Sequence, residues 1–189
     1  MSDAELKNSL TIWFKNGRRV HLDNLENIEF YIEPADKTAI MGVSYIDYDY
    51  NSSAYANISL SEVVGYIAKN IDSLAKTRTE AIKSLMEPGE TPFTDNRLPE
   101  NIGASDDLIV WLNSGDTLAF NNLRFRSFYK GALTQRAMSA YTYEDSELHC
   151  NCFVAFYQDT LDGFTTIDNS DIDRTQKVVF DSKEAKIDS

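Results

Sequence analysis

Leu10-Thr11-Ile12-Trp13-Phe14-Lys15-Asn16-Gly17 is met again, in pattern, as Leu108-Ile109-Val110-Trp111-Leu112-Asn113-Ser114-Gly115. Each stretch sets a tryptophan in an apolar run four residues before a glycine, and these two tryptophans are the only ones in the chain. The offset of 98 continues without a gap. Asn24-Leu25 meets Asn122-Leu123, Phe30-Tyr31 meets Phe128-Tyr129, Tyr45 meets Tyr143, Asp47 meets Asp145 and Gly65-Tyr66 meets Gly163-Phe164. Between positions 10 and 66 this register gives 11 identities in 57 positions, in an order that points to an internal duplication.

Alternating apolar residues on either side of Asn16-Gly17 and Ser114-Gly115 predict a β-hairpin in each copy, since glycine and asparagine tolerate the positive φ of a tight turn. A two-residue turn would set Trp13 opposite Val20 and Thr11 opposite Leu22, with Trp111 opposite Leu118 and Ile109 opposite Phe120. Both faces of the first strand are apolar, so it is expected to be covered on both sides. Further strands are expected near 27–33, 39–48 and 54–59, with counterparts near 125–130, 137–143 and 149–157. Between the copies, Ile71, Leu74, Ala75, Ile82 and Leu85 fall near one side at helical spacing, predicting an amphipathic helix from Asn70, as N-cap, to Met86. Pro88-Gly89 ends it, and 87–107, with Pro88, Pro92 and Pro99, reads as a linker or a long ordered loop between the modules. The chain end from Asp181 is polar and is expected to fray. The expected class is α+β, mainly β: two tandem antiparallel β-modules, 1–69 and 108–189, joined by the helix and loop of 70–107.

The chain holds 30 acidic and 18 basic residues in 189, a formal charge of -12. Such a field repels nucleic acid and anionic membranes, so direct binding to either is not expected. The acidic excess of the second half falls within 144–189, which has 11 acidic and 4 basic residues. No apolar run approaches the ~18 residues that span a bilayer. The polar, mixed-charge start does not resemble a secretory signal, and the expected location is the cytoplasm.

No phosphate-cradling glycine loop, nucleophile elbow or HExxH helix occurs, so no catalytic residue and no cofactor are expected. The cysteines, Cys150 and Cys152, lie in an extended apolar segment that would put both thiols on one side and His149 on the other. Buried free thiols are expected there rather than a metal site, which wants about four ligands. Asp159 to Gly163 and Asp168 to Asp173 lack the alternating oxygens, glycine and distant glutamate of a calcium loop. Arg18, Arg19, Arg124, Arg126 and Lys130 read as local charge balance.

The candidate contact residues are Tyr45, Asp47 and Asp49, with Tyr143, Asp145 and Glu147 at matching positions of the second copy. On a strand each set would project together at roughly 7 Å per two residues, near the spacing of successive phosphates. Tyrosine beside charge also suits protein recognition, giving rigid area and a hydroxyl. The alternative is a solvated, charged sheet edge that resists aggregation.

The hairpin, the Asn-Leu pair and the Val-Gly-Tyr ending together resemble small proteins of phages and prophages of low-GC Gram-positive bacteria. The resemblance covers Leu10 to Tyr66 and, less fully, Leu108 to Phe164, and transfers no catalytic residue. It implies a phage or mobile-element product. With the acidic balance, it leads to the expectation of a non-enzymatic binding protein of anti-CRISPR or anti-restriction type. Such a protein would occupy the basic surface of a host nuclease. A virion or assembly component and a regulator of host machinery are the alternatives, and a homodimer is compatible with either.

Overall fold

In the computed structural model, residues 7–89, 106–167 and 185–186 are described. The hairpin glycines recur as expected, with φ +81° at Gly17 and +91° at Gly115. The turn, however, holds three residues rather than two. Phe14 N–H donates to Arg18 C=O at 2.9 Å, leaving Lys15, Asn16 and Gly17 in the loop. Ile12 therefore opposes Val20, Thr11 opposes His21 and Trp13 opposes Arg19. In the second hairpin Val110 opposes Leu118 and Trp111 opposes Thr117. A one-residue slip reverses the facing of one strand relative to the other. The slip changes which β2 residues share a face with Trp13, but not the alternation along β1: Leu10 and Ile12 enter one core and Trp13 the other, so the strand is covered on both sides as expected.

The first part of the chain forms β1 (Ser9–Phe14), β2 (Arg19–Asp23), β3 (Leu25–Ile32), β4 (Ala39–Asp47), β5 (Ser52–Ser59) and β6 (Val63–Lys69). After α1 (Arg78–Leu85) come β7 (Asp106–Leu112), β8 (Thr117–Lys130), β9 (Ala137–Asp145), β10 (Cys150–Tyr157), β11 (Leu161–Ile167) and the short β12 (Ala185–Lys186). The bounds of β4 and β9, β5 and β10, and β6 and β11 each differ by 98 residues. The left-handed residues follow the same spacing: Asn24 and Asn122, Lys37 and Gln135, Asn51 and His149 all have φ between 46° and 62°.

The protein is mainly β, and every strand pairing is antiparallel. One sheet runs β11-β7-β8-β9-β10-β6-β1-β2, with β12 beside β8, and a second runs β3-β4-β5. The left-handed Asn24 ends β2 and sends the chain into the second sheet, whereas Asn122 only bulges the continuous, 14-residue β8. β10 and β6 join the two halves of the large sheet.

The expected helix over 70–86 is shorter. Asn70 is left-handed and precedes a 3-10 turn, and α1 starts after Thr77. Thr77 and Glu80 form a reciprocal capping box, which satisfies orphan N–H groups that Asn70 would leave free. Ala81, Ile82 and Leu85 of α1 are buried in the first core with Leu10, Ile12, Met41 and Tyr66. Phe153, Ala155 and Tyr157 of β10 join that core, while Cys152, Val154 and Phe156 from its other face join the second, with Trp13, Phe120 and Tyr143. β10 is thus covered on both faces and carries packing from one core to the other. Most of the expected linker, residues 90–105, the acidic run 168–173 and the chain end from Asp181, apart from β12, lie outside the described residues.

Candidate interaction surface

β4 ends at Asp47, so Tyr45, Asp47 and Asp49 do not form a row along one strand. Asp47 Oδ1 accepts the N–H groups of Asp49 and Tyr50 at 3.0 and 3.3 Å and closes the turn to β5. Tyr45 is partly buried against the first core, and Asp49 is exposed on the turn. The counterpart is more enclosed. Asp145 ends β9, is fully buried, accepts from Glu147 and Leu148 N–H at 3.0 Å each, and lies 3.6 Å from Lys69 Nζ. Tyr143 is fully buried in the second core, leaving Glu147 as the exposed member of its set. The expected carboxylate rows are therefore replaced by two Asp-capped turns. Matching sequence positions carried a turn signal, which the alternation of Tyr and Asp hid.

A denser polar surface lies beside them, on the outer face of β3-β4-β5. Glu29, Gly42 and Asn57 share one cross-strand row, and Asn27, Ser44 and Tyr55 share the next. Tyr55 reaches diagonally over β4 and donates its hydroxyl to Glu29 Oε1 at 2.6 Å. Tyr31 crosses the other way and donates to Asn57 Oδ1 at 2.7 Å. Gly42 makes the crossing possible, because a Cβ there would overlap Tyr55 Oη and come within 3.1 Å of Glu29 Cγ. Donation to Glu29 pushes the Tyr55 hydroxyl well above the usual tyrosine range, so it stays a neutral donor.

Residues 25–59 contain five of the ten tyrosines and carry six carboxylates against one lysine, a local charge of -5. Tyr48 and Tyr50 stand exposed at the β4–β5 turn, Tyr50 at 80%. Tyr48 donates to Asn24 Oδ1 at 2.7 Å, and Lys7 Nζ lies 3.9 Å from the centre of its ring. Held by their own hydrogen bonds, the Tyr31, Tyr48 and Tyr55 rings offer area at little further cost in side-chain entropy.

The same face of β8-β9-β10 is closed. At the positions corresponding to Tyr31, Gly42, Tyr55 and Asn57 stand Tyr129, Ala140, Phe153 and Ala155, all buried in the first core. Glu87, in the stretch expected to be linker, is only 1% exposed and caps this region. Its carboxylate accepts from Leu133 N–H (3.0 Å), Thr134 N–H (2.7 Å), Thr134 Oγ1 (3.0 Å) and Tyr157 Oη (2.8 Å). Arg136 lies 3.8 Å over the Tyr157 ring, donates to Leu60 C=O at 2.7 Å and chelates Asp159 at 2.7 to 3.0 Å. These hydrogen bonds hold the Asp159 carboxyl below the usual range. Neither Glu87 nor Arg136 has a sequence motif to announce it.

Cys150 and Cys152 are free and buried on one side of β10, with Sγ atoms 3.7 Å apart. Hydrogen bonding from Cys152 lowers the Cys150 thiol to about 7. His149 is exposed in the preceding turn, and no three potential ligands gather into a metal site among the described residues. Arg124 pairs with Glu144 at 2.9 Å, in keeping with its reading as local charge balance.

A cleft of about 270 Å³ separates the two hairpin loops. Trp13, Val64 and Leu112 give it apolar walls, Lys15 and Arg18 contribute positive charge, and Asp116 and Asp159 contribute negative charge. Its hydroxyls are engaged: Thr160 donates to Tyr157 C=O at 2.6 Å, and Ser114 to Asp116 at 3.3 Å. The lining contains neither histidine nor cysteine.

Comparison of the chain with protein-family models, with curated proteins and with solved structures finds no match.

Proposed function

We propose that this chain is a non-enzymatic binding protein that docks the acidic, tyrosine-rich face of β3-β4-β5 onto a basic protein surface. One observation carries the reading: the face that is buried in the second unit is open in the first, where Tyr31 and Tyr55 lie fixed over Gly42. Preorganised tyrosines suit the centre of an interface. The local charge of -5 suits a partner that itself binds nucleic acid. The partner class in this proposal is a host defence enzyme of CRISPR-nuclease or restriction type, and the chain a phage or mobile-element product. The two units are taken as copies of one duplicated module, supported by the left-handed residues that recur 98 positions apart.

The test is affinity capture from bacterial lysate with the tagged chain, washed at low and then high salt, beside a Tyr31→Ala/Tyr55→Ala variant and Glu29→Gln. The expected result is a nucleic-acid-binding enzyme that elutes with salt, is lost with the tyrosine pair and is weakened by Glu29→Gln. Equal recovery by all three forms would remove the face from the proposal. Recovery of this chain alone, or of virion proteins, would favour an assembly role.

A further inference from the structure

The internal joint between the two halves is itself a head-to-tail contact. β6 of the first unit receives β10 of the second, with Gly65 opposite Phe156, Tyr66 opposite Ala155 and Ile67 opposite Val154. β10 corresponds to β5, and β6 to β11, at the 98-residue spacing. The joint thus uses one edge of each kind and leaves one of each kind over. Among the described residues, β5 pairs only with β4, and β11 only with β7.

The unused seat on β11 keeps the chemistry of the used one. In the joint, the Phe156 ring rests over Gly65, where a Cβ would lie 2.5 Å from Phe156 Cδ1 and 2.6 Å from Ala155 O. Trp13, opposite Gly65 on the neighbouring strand, stacks on Phe156 at 6.1 Å and is 8% exposed. Gly163 and Trp111 hold the equivalent positions on β11 and β7 and are likewise opposite each other. There a Cβ on Gly163 would meet only the Trp111 ring, at 3.4 Å, and Trp111 is 41% exposed. Among the described residues, a glycine notch with a tryptophan beside it is present without a strand across it.

We propose that β11 of one molecule receives β5 of a second copy in the register of the β6–β10 joint. Ala56 would then lie opposite Thr165, Asn57 opposite Phe164 and Ile58 opposite Gly163, with Ile58 taking the place of Phe156 beside Trp111. The contact is heterologous, so repetition gives a ring if the rotation closes and an open chain if it does not. Backbone pairing supplies the attraction, and the glycine notch fixes the register. This contact uses sheet edges and does not depend on the acidic face or on its partner.

Sedimentation velocity and light scattering of the full chain across a hundredfold concentration range test the proposal. The expected result is a concentration-dependent mass of at least twice 21.4 kDa, with Trp111 emission shifting to the blue as the mass rises. Gly163→Ala fits the single molecule, because its Cβ meets only Trp111, but it blocks the seat. This variant is expected to keep its thermal midpoint and stay at 21.4 kDa. It still offers a sound β5, so adding it to wild-type protein should cap growth and lower the mean mass. A wild-type chain that stays monomeric at every concentration overturns the proposal, whatever then covers β11. So does a Gly163→Ala variant that folds and assembles as the wild type does.

Discussion

Tyr157 donates its hydroxyl to Glu87 Oε2 at 2.8 Å, joining the end of β10 to a carboxylate 70 residues earlier in the chain. Three further donors from Leu133 and Thr134 converge on the same carboxylate. A buried charge is tolerable only when its lone pairs are met in this way. Glu87→Gln keeps the shape and can leave its oxygen on the Leu133 and Thr134 N–H groups, but it removes the charge and turns the acceptor of the Thr134 and Tyr157 hydroxyls into a donor. It should destabilise the protein by about 2–4 kcal/mol, and Tyr157→Phe by about 1.5–3 kcal/mol, in urea denaturation. Because the two act on one network, the double variant should lose less than the sum. Strict additivity would show that Glu87 and Tyr157 act separately.

Arg136 and Asp159 set a pH dependence. The folded Asp159 carboxyl lies below its unfolded value because Arg136 hydrogen-bonds it. Its contribution to stability is therefore present above the unfolded carboxylate range and is lost as pH falls through the lower folded value. Asp159→Asn should reduce stability at neutral pH and flatten the acid limb of a stability-versus-pH curve. An acid limb of unchanged slope would contradict this assignment.

The two tryptophans should report different surroundings. Trp13 is 8% exposed and stacked on Phe156, whereas Trp111 is 41% exposed. In dilute protein, Trp111→Phe should leave blue, poorly quenched emission from Trp13, and Trp13→Phe should leave redder emission that iodide quenches. Trp13→Ala should cost about 3–5 kcal/mol, as for a buried aromatic side chain. Trp111→Ala should cost well under half as much.

The hairpins and the strands near 39–48 and 54–59, with their counterparts, were legible because alternation and turn residues are local signals, whereas β6 and β11, at the outer edge of each unit, were not read as strands. The 98-residue spacing also paired Asn24 with Asn122, without assigning their left-handed geometry. The hairpin register was not legible. Asn16-Gly17 fits both a two-residue turn and the end of a three-residue turn, and the difference changes the residue opposite Trp13 from Val20 to Arg19. Helical spacing over 70–86 likewise concealed Thr77 and Glu80, which fix where α1 begins. Tyr45, Asp47 and Asp49 lie within 20 residues of Glu29, Tyr31 and Tyr55, yet they do not reveal the cross-strand ladder. It depends on three strands and a glycine between them, a non-local arrangement that no window along the chain contains.

The paired thiols should titrate unevenly. Hydrogen bonding from Cys152 lowers Cys150 to about 7, and the same hydrogen bond, with burial, pushes Cys152 above the usual thiol range. Ultraviolet thiolate absorbance should show one ionisation near neutrality and none from the second thiol through the ordinary thiol range. Because the folded Cys150 lies below its unfolded value, its stabilising contribution is full above the unfolded thiol range and fades as pH drops through about 7. Cys152→Ala removes the donor and should move the single transition upward. A transition that stays near 7 would mean that Lys69 or the backbone, rather than Cys152, holds the thiolate.

Gly42 tests whether the tyrosine ladder is a rigid surface. A Cβ at this position would overlap Tyr55 Oη, and yielding by Tyr55 breaks its 2.6 Å hydrogen bond to Glu29. Gly42→Ala should therefore cost about 1–3 kcal/mol, the range for steric overpacking. Its second effect separates overlap from simple loss of stability. Freed from Glu29, the Tyr55 hydroxyl should ionise at lower pH than in the wild type, which ultraviolet tyrosinate absorbance can follow. Tyr55→Phe removes the same hydrogen bond without overlap and should cost less than Gly42→Ala. If Gly42→Ala leaves both stability and the tyrosinate curve unchanged, the rings are not held over β4, and the preorganised face loses its physical basis.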